Sequence, residues 1–230
     1  MAYEHTSLRC NRDEGQDALK RTPTTIIFDF DGTIADSMDL AIEIFYEVTG
    51  HPRINDPAQI AYYRTLPLLK VAREAKVAPH QMPRLLFKGR ALMHQHIDEV
   101  KTFPGLHEVL QKLHAQGHQL FVMSSNSQQN VEHFLEAQKL AEYFDAVYGG
   151  VGLFSKTRAL RKIMRQNDLR PEACFYVGDE MRDMHAARKG HIRPVAVAWG
   201  YNDISVLATA GAWMQAKKPA DLLRIFSGAV

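Results

Sequence analysis

Asp29 and Asp31 stand two residues apart at the end of the apolar run Thr24-Thr25-Ile26-Ile27-Phe28. If the extended backbone continues past Phe28, both carboxylates point to the same side. Two carboxylates held that close repel, so they need a shared proton or a cation. A hard divalent ion with oxygen ligands, such as Mg²⁺, would satisfy them. Asp179, in Gly178-Asp179-Glu180-Met181-Arg182-Asp183, can supply a third oxygen. Gly32 permits a tight turn close to a ligand. An Asp-Gly pair is by itself an ordinary turn signal, so the weight rests on its company. Ser124-Ser125-Asn126 ends a second apolar run, and Asp179 follows another. Separate strands ending in acids and hydroxyls can together build one pocket.

The elements that must position these residues are legible from periodicity. Thr24–Phe28 is short, apolar and β-branched, as in a strand buried on both faces. Further strands are expected at Gln119–Met123, Ala146–Tyr148, Ala173–Val177 and Val195–Ala198. Helical patterns separate them, at Leu106–Gln116, Asn130–Gln138, Ser155–Gln166 and Arg182–Lys189. Two more helices are expected near Ser205–Thr209 and Pro219–Ile225. Strands alternating with helices predict an α/β fold, a Rossmann-like parallel sheet covered on both faces. Ligands of such sheets bind at the carboxyl ends of the strands, where these acids and hydroxyls stand.

Residues 37–100 break the rhythm, because they read as helical throughout. Asp36 and Ser37 can cap a helix through Leu40, Ile44, Phe45 and Val48, which Gly50 and Pro52 end. Helical patterns recur at Pro67–Lys76 and Met82–Val100. The block is too long for a simple crossover and reads as an inserted helical domain. The expected organisation is a polar arm at 1–22, a core of 23–36 and 101–230, and a helical cap at 37–100.

Composition excludes several classes. The 230 residues are 46% hydrophobic and 23% charged, as in an ordinary globular protein. A formal net charge of +2, from 28 basic and 26 acidic residues, argues against a dedicated nucleic-acid binder. No apolar run is long enough for a membrane span or a secretory signal. Two cysteines, Cys10 and Cys174, without a C-x-x-C pair, read as free thiols in a reducing cytoplasm.

The four polar clusters, in this order, resemble the motifs of the haloacid dehalogenase-like (HAD) superfamily. Asp29-Phe30-Asp31-Gly32-Thr33 is similar to its first motif and Ser125 to its second. Lys156, at the start of a helix, resembles the third, and Gly178 through Asp183 the fourth. The insertion at 37–100 sits where the family's C1 cap is inserted. The subgroup it most resembles is the phosphoglycolate phosphatase-like hydrolases.

The resemblance implies a mechanism, residue by residue. Asp29 would be the nucleophile that forms an aspartyl-phosphate. Asp31 would protonate the leaving oxygen and then deprotonate the attacking water. Mg²⁺ would be held by Asp29, the Asp31 carbonyl and Asp179, with Asp183 as a further ligand or orienting group. Ser125, Asn126, Lys156 and backbone N–H groups near Gly32 would hold the phosphoryl oxygens. The family's dehalogenases lack the second Asp, since halide departure needs no proton, so Asp31 favours phosphate chemistry. The implied enzyme is a Mg²⁺-dependent hydrolase of a small phosphorylated metabolite resembling 2-phosphoglycolate. It would be a cytoplasmic monomer or homodimer without nucleic-acid or membrane partners. Alternatives are a sugar-phosphate phosphotransferase or mutase, and a non-catalytic binding protein of the same fold. The cap lacks the Gly-x-x-x-Arg-type loop of the mutases, which leans towards hydrolysis.

Other polar residues have plainer readings. Strand alternation lets only one of Ser124 and Ser125 face the pocket, and the family pattern selects Ser125. Arg158, Arg161, Lys162 and Arg165 read as a solvated helix face. His94 and His96, two apart on a helix, do not share a face and do not read as a metal pair. Met82, Leu85, Leu86 and Met93 read as cap core, and Glu180 as a solvated or capping residue. Arg64, Lys88 and Arg90 are candidates for an anionic substrate tail, although each reads first as a surface charge.

Overall fold

The first apolar run forms β1 (Thr25–Phe28), and all four of its residues are buried. The computed structural model describes residues 23–227 apart from 52, 55, 153 and 154; the polar arm and Cys10 lie outside them. β1 pairs in parallel with β2 (Gln119–Met123) on one side and β4 (Cys174–Gly178) on the other. β3 (Ala146–Tyr148) extends the sheet beyond β2. β5 (Arg193–Val197) and β6 (Met214–Ala216) extend it beyond β4, giving the order β3-β2-β1-β4-β5-β6. All pairings are parallel, so the sheet is of the Rossmann-like α/β type.

Between β1 and β2 the chain forms α1 (Met38–Thr49), α2 (Pro57–Arg64), α3 (Leu68–Glu74), α4 (Met82–His96) and α5 (Leu106–Ala115). Later come α6 (Gln128–Ala137), α7 (Lys156–Gln166), α8 (Met181–Lys189), α9 (Ile204–Thr209) and α10 (Ala220–Ser227). The period-2 alternation of β1 joins the two layers. Ile26 and Phe28 pack with Leu106, Leu110 and Phe134 on one face. Ile27 packs with Leu160, Ile163 and Ala187 on the other. Each of the Ile, Leu and Phe side chains among them contributes about 1.5–3 kcal/mol by leaving water. Ile44 of α1 and Met93 of α4 continue the first of these cores.

Register sets the site. Phe28 stands opposite both Val122 and Val177. The residues just beyond, Asp29, Ser124 and Asp179, therefore emerge together at the carboxyl edge of the sheet, at the point where strand order reverses. No helix among the described residues is long and apolar enough to cross a membrane.

Three features depart from the sequence reading. Ser37 occupies the position before α1, but its hydroxyl makes no capping bond, and Asp36 is exposed. The Ser37 hydroxyl is drawn into the interior instead, as described below. The separate helix α2 lacks any buried residue and so carries no apolar stripe. Strand β6 has two exposed residues out of three, which leaves no strand-like run to read.

Candidate active site

Asp29 follows β1 directly, and its N–H donates to the Val177 carbonyl at 2.8 Å, so it is fixed to the neighbouring strand. The chain then doubles back. The Phe30 carbonyl accepts from the N–H groups of Thr33, Ile34 and Ala35. Gly32 makes this possible with φ +75°, and it lies so close to Asp179 that a Cβ would fall 2.2 Å from Oδ2. Gly200 approaches the same residue, and a Cβ there would fall 2.2 Å from the Asp179 Cβ and 2.4 Å from its Oδ2. Neither position admits a side chain while Asp179 keeps its place.

Asp29, Asp179 and Asp183 are buried and bring one carboxylate oxygen each within 4.8 Å of one another. Lys156 enters from the start of α7 and is itself buried. Its Nζ lies 2.5 Å from Asp29 Oδ2 and 2.5 Å from Asp183 Oδ1. Asp179 accepts from the Thr33 hydroxyl at 2.8 Å and from the Tyr201 N–H at 2.7 Å. Asp183 Oδ2 accepts from the Glu180 N–H at 3.0 Å.

The electrostatics follow from this crowding. Burial pushes Asp29 up to about 7, against the pull of Lys156 and with a further upward push from Asp183. Asp179 is held well above the usual carboxylate range by burial and by the charges of Glu180, Asp183 and Asp29. Burial works against the Lys156 ammonium, but Asp183 and Asp29 outweigh it and raise its pKa. Three buried carboxylates with a single ammonium between two of them form an oxygen-rich, electron-rich cluster. That donor set fits a hard divalent cation.

Asp31 stands apart. Its carboxylate accepts from the Ser37 hydroxyl at 3.0 Å and from Asn126 Nδ2 at 3.3 Å. Burial raises its pKa, and the hydrogen bonds from Ser37 and Asn126 hold part of that rise back. The two carboxylates of the first motif thus occupy different environments, one among acids and a lysine, the other among neutral donors.

The remaining candidates divide. The Ser124 hydroxyl is buried and accepts from the Asn126 N–H at 2.9 Å, so it shapes the loop. Ser125 is partly exposed and lines a cavity of about 230 Å³ with Asp31, Asn126, Arg90, Ile44 and Met93. Asn126 directs its amide nitrogen to Asp31, and the Gly32 N–H donates to the Ala35 carbonyl at 2.9 Å. Arg90 lies in the same cavity and donates to the Ser125 carbonyl at 2.8 Å. Arg64 does not face it. Its guanidinium donates to the carbonyls of Gly200, at 2.9 Å, and Tyr201, at 3.3 Å, which corrects its reading as a substrate-tail contact. Glu180 is buried and paired with Arg182, so the solvated reading fails while a place at the start of α8 stands. Arg158, Arg161, Lys162 and Arg165 are exposed. Among the described side chains of the expected cap core, Met93 is buried and Met82 and Leu85 are partly buried.

Sequence reasoning missed Thr33, Ser37 and Tyr201 as supports of the acids, and Arg182 as a cation at their edge. Thr33 and Arg182 lay inside quoted motifs, but Tyr201 is 170 residues from Asp31 and had no local signal.

A parallel sheet with a carboxylate cluster, a buried lysine and a second acid at its carboxyl edge defines a phosphoryl-handling hydrolase site of the HAD type. The chain matches the haloacid dehalogenase-like hydrolase family over residues 26–197, and it belongs to that family. It is 36% identical to the phosphoglycolate phosphatase of Synechococcus elongatus, over 86% of this chain and 95% of that one. It is 28% identical to the pyrophosphatase PpaX of Bacillus anthracis, over 88% of this chain and 96% of that one. In structure it is similar to a haloacid dehalogenase-like family hydrolase from Streptococcus pneumoniae. That likeness has a TM-score of 0.74 at 22% identity, over 89% of this chain and 98% of the other.

Proposed function

We propose that this chain is a Mg²⁺-dependent phosphatase that hydrolyses a compact phosphomonoester resembling 2-phosphoglycolate. The observation that carries the reading is the unequal setting of Asp29 and Asp31. Asp29 lies beside Lys156 and the other acids, as a nucleophile towards phosphorus requires. Asp31 borders a largely apolar cavity and keeps a raised pKa, as a proton donor to a leaving oxygen requires. Asp29 would attack phosphorus and break the bond to the leaving oxygen, which takes the Asp31 proton. Asp31 would then draw a proton from water as it cleaves the aspartyl-phosphate, restoring both acids. Asp29, Asp179 and the Asp31 carbonyl would hold Mg²⁺, with Asp183 supporting; bound there, the ion offsets charge that repels the substrate. Lys156 and Ser125 would hold phosphoryl oxygens.

The helices at 38–99 act as the cap in this reading, over a core of 23–36 and 101–227. The reading is supported by the residues they contribute beside Asp31: Ile44, Leu85, Arg90 and Met93. The cavity's volume of about 230 Å³ suits a small leaving group better than a nucleoside. A cytoplasmic setting is consistent with the free, buried Cys174.

The test is phosphate release with Mg²⁺ from a panel of 2-phosphoglycolate, sugar phosphates, nucleotides and pyrophosphate. Asp29→Asn runs alongside as the control. The expected result is turnover of a small ester that falls on the order of 10³-fold or more in Asp29→Asn. Release from no member of the panel by folded, Mg²⁺-loaded protein would overturn hydrolysis as the function.

A further inference from the structure

Arg182, the second residue of α8, is a cation at this site for which the reading above has no use. Its Nη2 donates to Glu180. Its Nε and Nη1 are shut off from solvent and meet no hydrogen-bond acceptor among the described residues. A quarter of the side chain remains exposed, and it lines a cavity of about 280 Å³ together with Lys156, Glu180 and Leu68.

From these unspent donors we infer that Arg182 is a substrate-binding residue, whose guanidinium donates to a non-bridging oxygen of the phosphoryl dianion alongside Lys156. The inference rests on the phosphatase reading for its substrate, but not for the existence of an anion site.

Three arguments support it. The first is hydrogen-bond accounting. Buried donors are nearly always satisfied, and a charged group with unspent N–H bonds is costly to keep. A pair with Glu180 needs one nitrogen, and a lysine would supply it. Arginine adds planar, always-charged donors suited to phosphoryl oxygens. The second is charge. Asp29, Asp31, Asp179, Glu180 and Asp183 bring five carboxylates to the site, against three side-chain cations: Lys156, Arg182 and, beside Asp31, Arg90. A phosphoryl dianion entering that surplus needs every fixed cation within reach, even after a divalent ion is bound. The third is position. The Arg182 charge stabilises the ionised forms of both Asp29 and Asp31, so it acts on the two acids that flank the reacting phosphorus. Its cavity shares Lys156 with the nucleophile's ion pair, and Leu68 with the cavity beside Asp31.

Glu180 then has a definite part. It holds Arg182 through Nη2 in a pose that keeps Nε and Nη1 out of solvent's reach, so a phosphoryl oxygen must draw the guanidinium away from Glu180 to engage them. Removing the Glu180 charge therefore frees donors for the ligand.

The experiment measures inorganic phosphate binding to the Mg²⁺-loaded protein by calorimetry, with kcat and KM for the ester that the wild type turns over. The variants are Arg182→Gln, Arg182→Lys and Glu180→Gln. Phosphate binding should weaken about 10- to 100-fold in Arg182→Gln. It should recover in part in Arg182→Lys and tighten several-fold in Glu180→Gln. Phosphate binding and kcat/KM within twofold of wild type in folded Arg182→Gln would overturn the inference and leave Arg182 as a structural counterion. Should Arg182→Gln not fold, Glu180→Gln decides: tighter phosphate binding supports the inference, and unchanged or weaker binding overturns it. Wild-type protein that binds phosphate through Arg182 but releases none from any ester would sink the phosphatase reading and leave this one standing.

Discussion

The hydroxyls of Ser37 and Tyr201 lie 3.0 Å apart, and the Ser37 hydroxyl is also 3.0 Å from Asp31 Oδ1. The Tyr201 backbone N–H meanwhile donates to Asp179 Oδ2. One tyrosine thus ties Asp31 of the first motif to Asp179 of the fourth. The Asp31 carboxylate is oriented from two sides, by Ser37 and by Asn126, which leaves it little freedom to swing towards the acid cluster.

This chain of hydroxyls gives a first prediction. Ser37→Ala and Tyr201→Phe each remove an orienting bond without opening the fold. General acid catalysis matters most for poor leaving groups. Turnover of an alkyl phosphate should therefore fall about tenfold, while release of p-nitrophenolate in a single-turnover burst changes little. Rapid-mixing measurements with both substrates check this. Equal losses on both substrates would refute an acid-orienting role for the pair.

Much of this site could be read from the chain, for a physical reason. Asp29, Asp31 and Asp179 stand within three residues of the ends of buried strands, and Asp183 lies in the first turn of the helix that follows the last of them; a buried strand announces itself by an apolar run. Lys156 begins a helix whose apolar side, Leu160, Ile163 and Met164, is equally plain. What could not be read were bonds between distant segments. Ser37 looked like a helix cap because it precedes a helix, and only the fold brings Tyr201 within reach of it. Arg64 looked like a free cation because nothing local shows that the carbonyls of Gly200 and Tyr201 lie beside it. Helix α2 and strand β6 were not legible because they bury almost nothing, and pattern reading depends on burial.

A second prediction concerns the buried ion pairs of Lys156. Replacing it with Met removes the cation between Asp29 and Asp183 and leaves both carboxylates buried with only the Arg182 charge to offset them. Breaking such a pair costs about 3–5 kcal/mol. The metal-free variant should melt well below the wild type in a thermal scan. Mg²⁺ should then raise its melting temperature more than it raises that of the wild type, because a second cation fills the deficit. An equal Mg²⁺ response in the two proteins would count against Asp29 and Asp183 sharing the metal's field.

A third prediction separates binding from folding at Asp179. This carboxylate is buried among like charges, so in the metal-free protein it is a source of repulsion. Asp179→Asn keeps the shape and removes the charge. The apo variant should be at least as stable as wild type to urea, while the stabilisation that Mg²⁺ gives the wild type disappears. Mg²⁺ stabilisation of Asp179→Asn equal to that of wild type would place the ion elsewhere.

A fourth concerns pH and lies far from the site. Asp221 is the second residue of α10, and burial alone would raise its pKa; the pair with Arg224 and the N–H groups of Lys217 and Lys218 outweigh burial and lower it. A lowered folded-state pKa means stability that is present above the unfolded value of about 3.9 and is lost as pH falls through the folded value. Asp221→Ala should cost roughly 1 kcal/mol at pH 7, like other capping losses. The difference from wild type should shrink as pH drops below about 4. Urea melts across that range test it; a constant difference would show that packing, not the carboxylate charge, is what Asp221 supplies.

The last prediction follows from the contacts that seat the helical segment on the sheet. The Arg64 guanidinium holds the Gly200 and Tyr201 carbonyls. Asn202 Nδ2 returns bonds to the carbonyls of Arg64 and Leu66, at 3.0 and 3.1 Å. Asn202 Oδ1 also accepts from the Met181 N–H, at the start of α8. One loop, 200–203, therefore grips the segment between α2 and α3 while its own backbone grips Asp179. Loosening the segment should disturb the carboxylate cluster, and loosening the cluster should free the segment. In Asn202→Ala, amide exchange should accelerate at 64–66 and at 200–203 together, with kcat falling several-fold and the melting temperature little changed. The reverse experiment uses Mg²⁺ on the wild type, which should slow exchange at 64–66 although those residues hold no ligand. Exchange that slows at 200–203 alone would show that the two segments touch without being coupled.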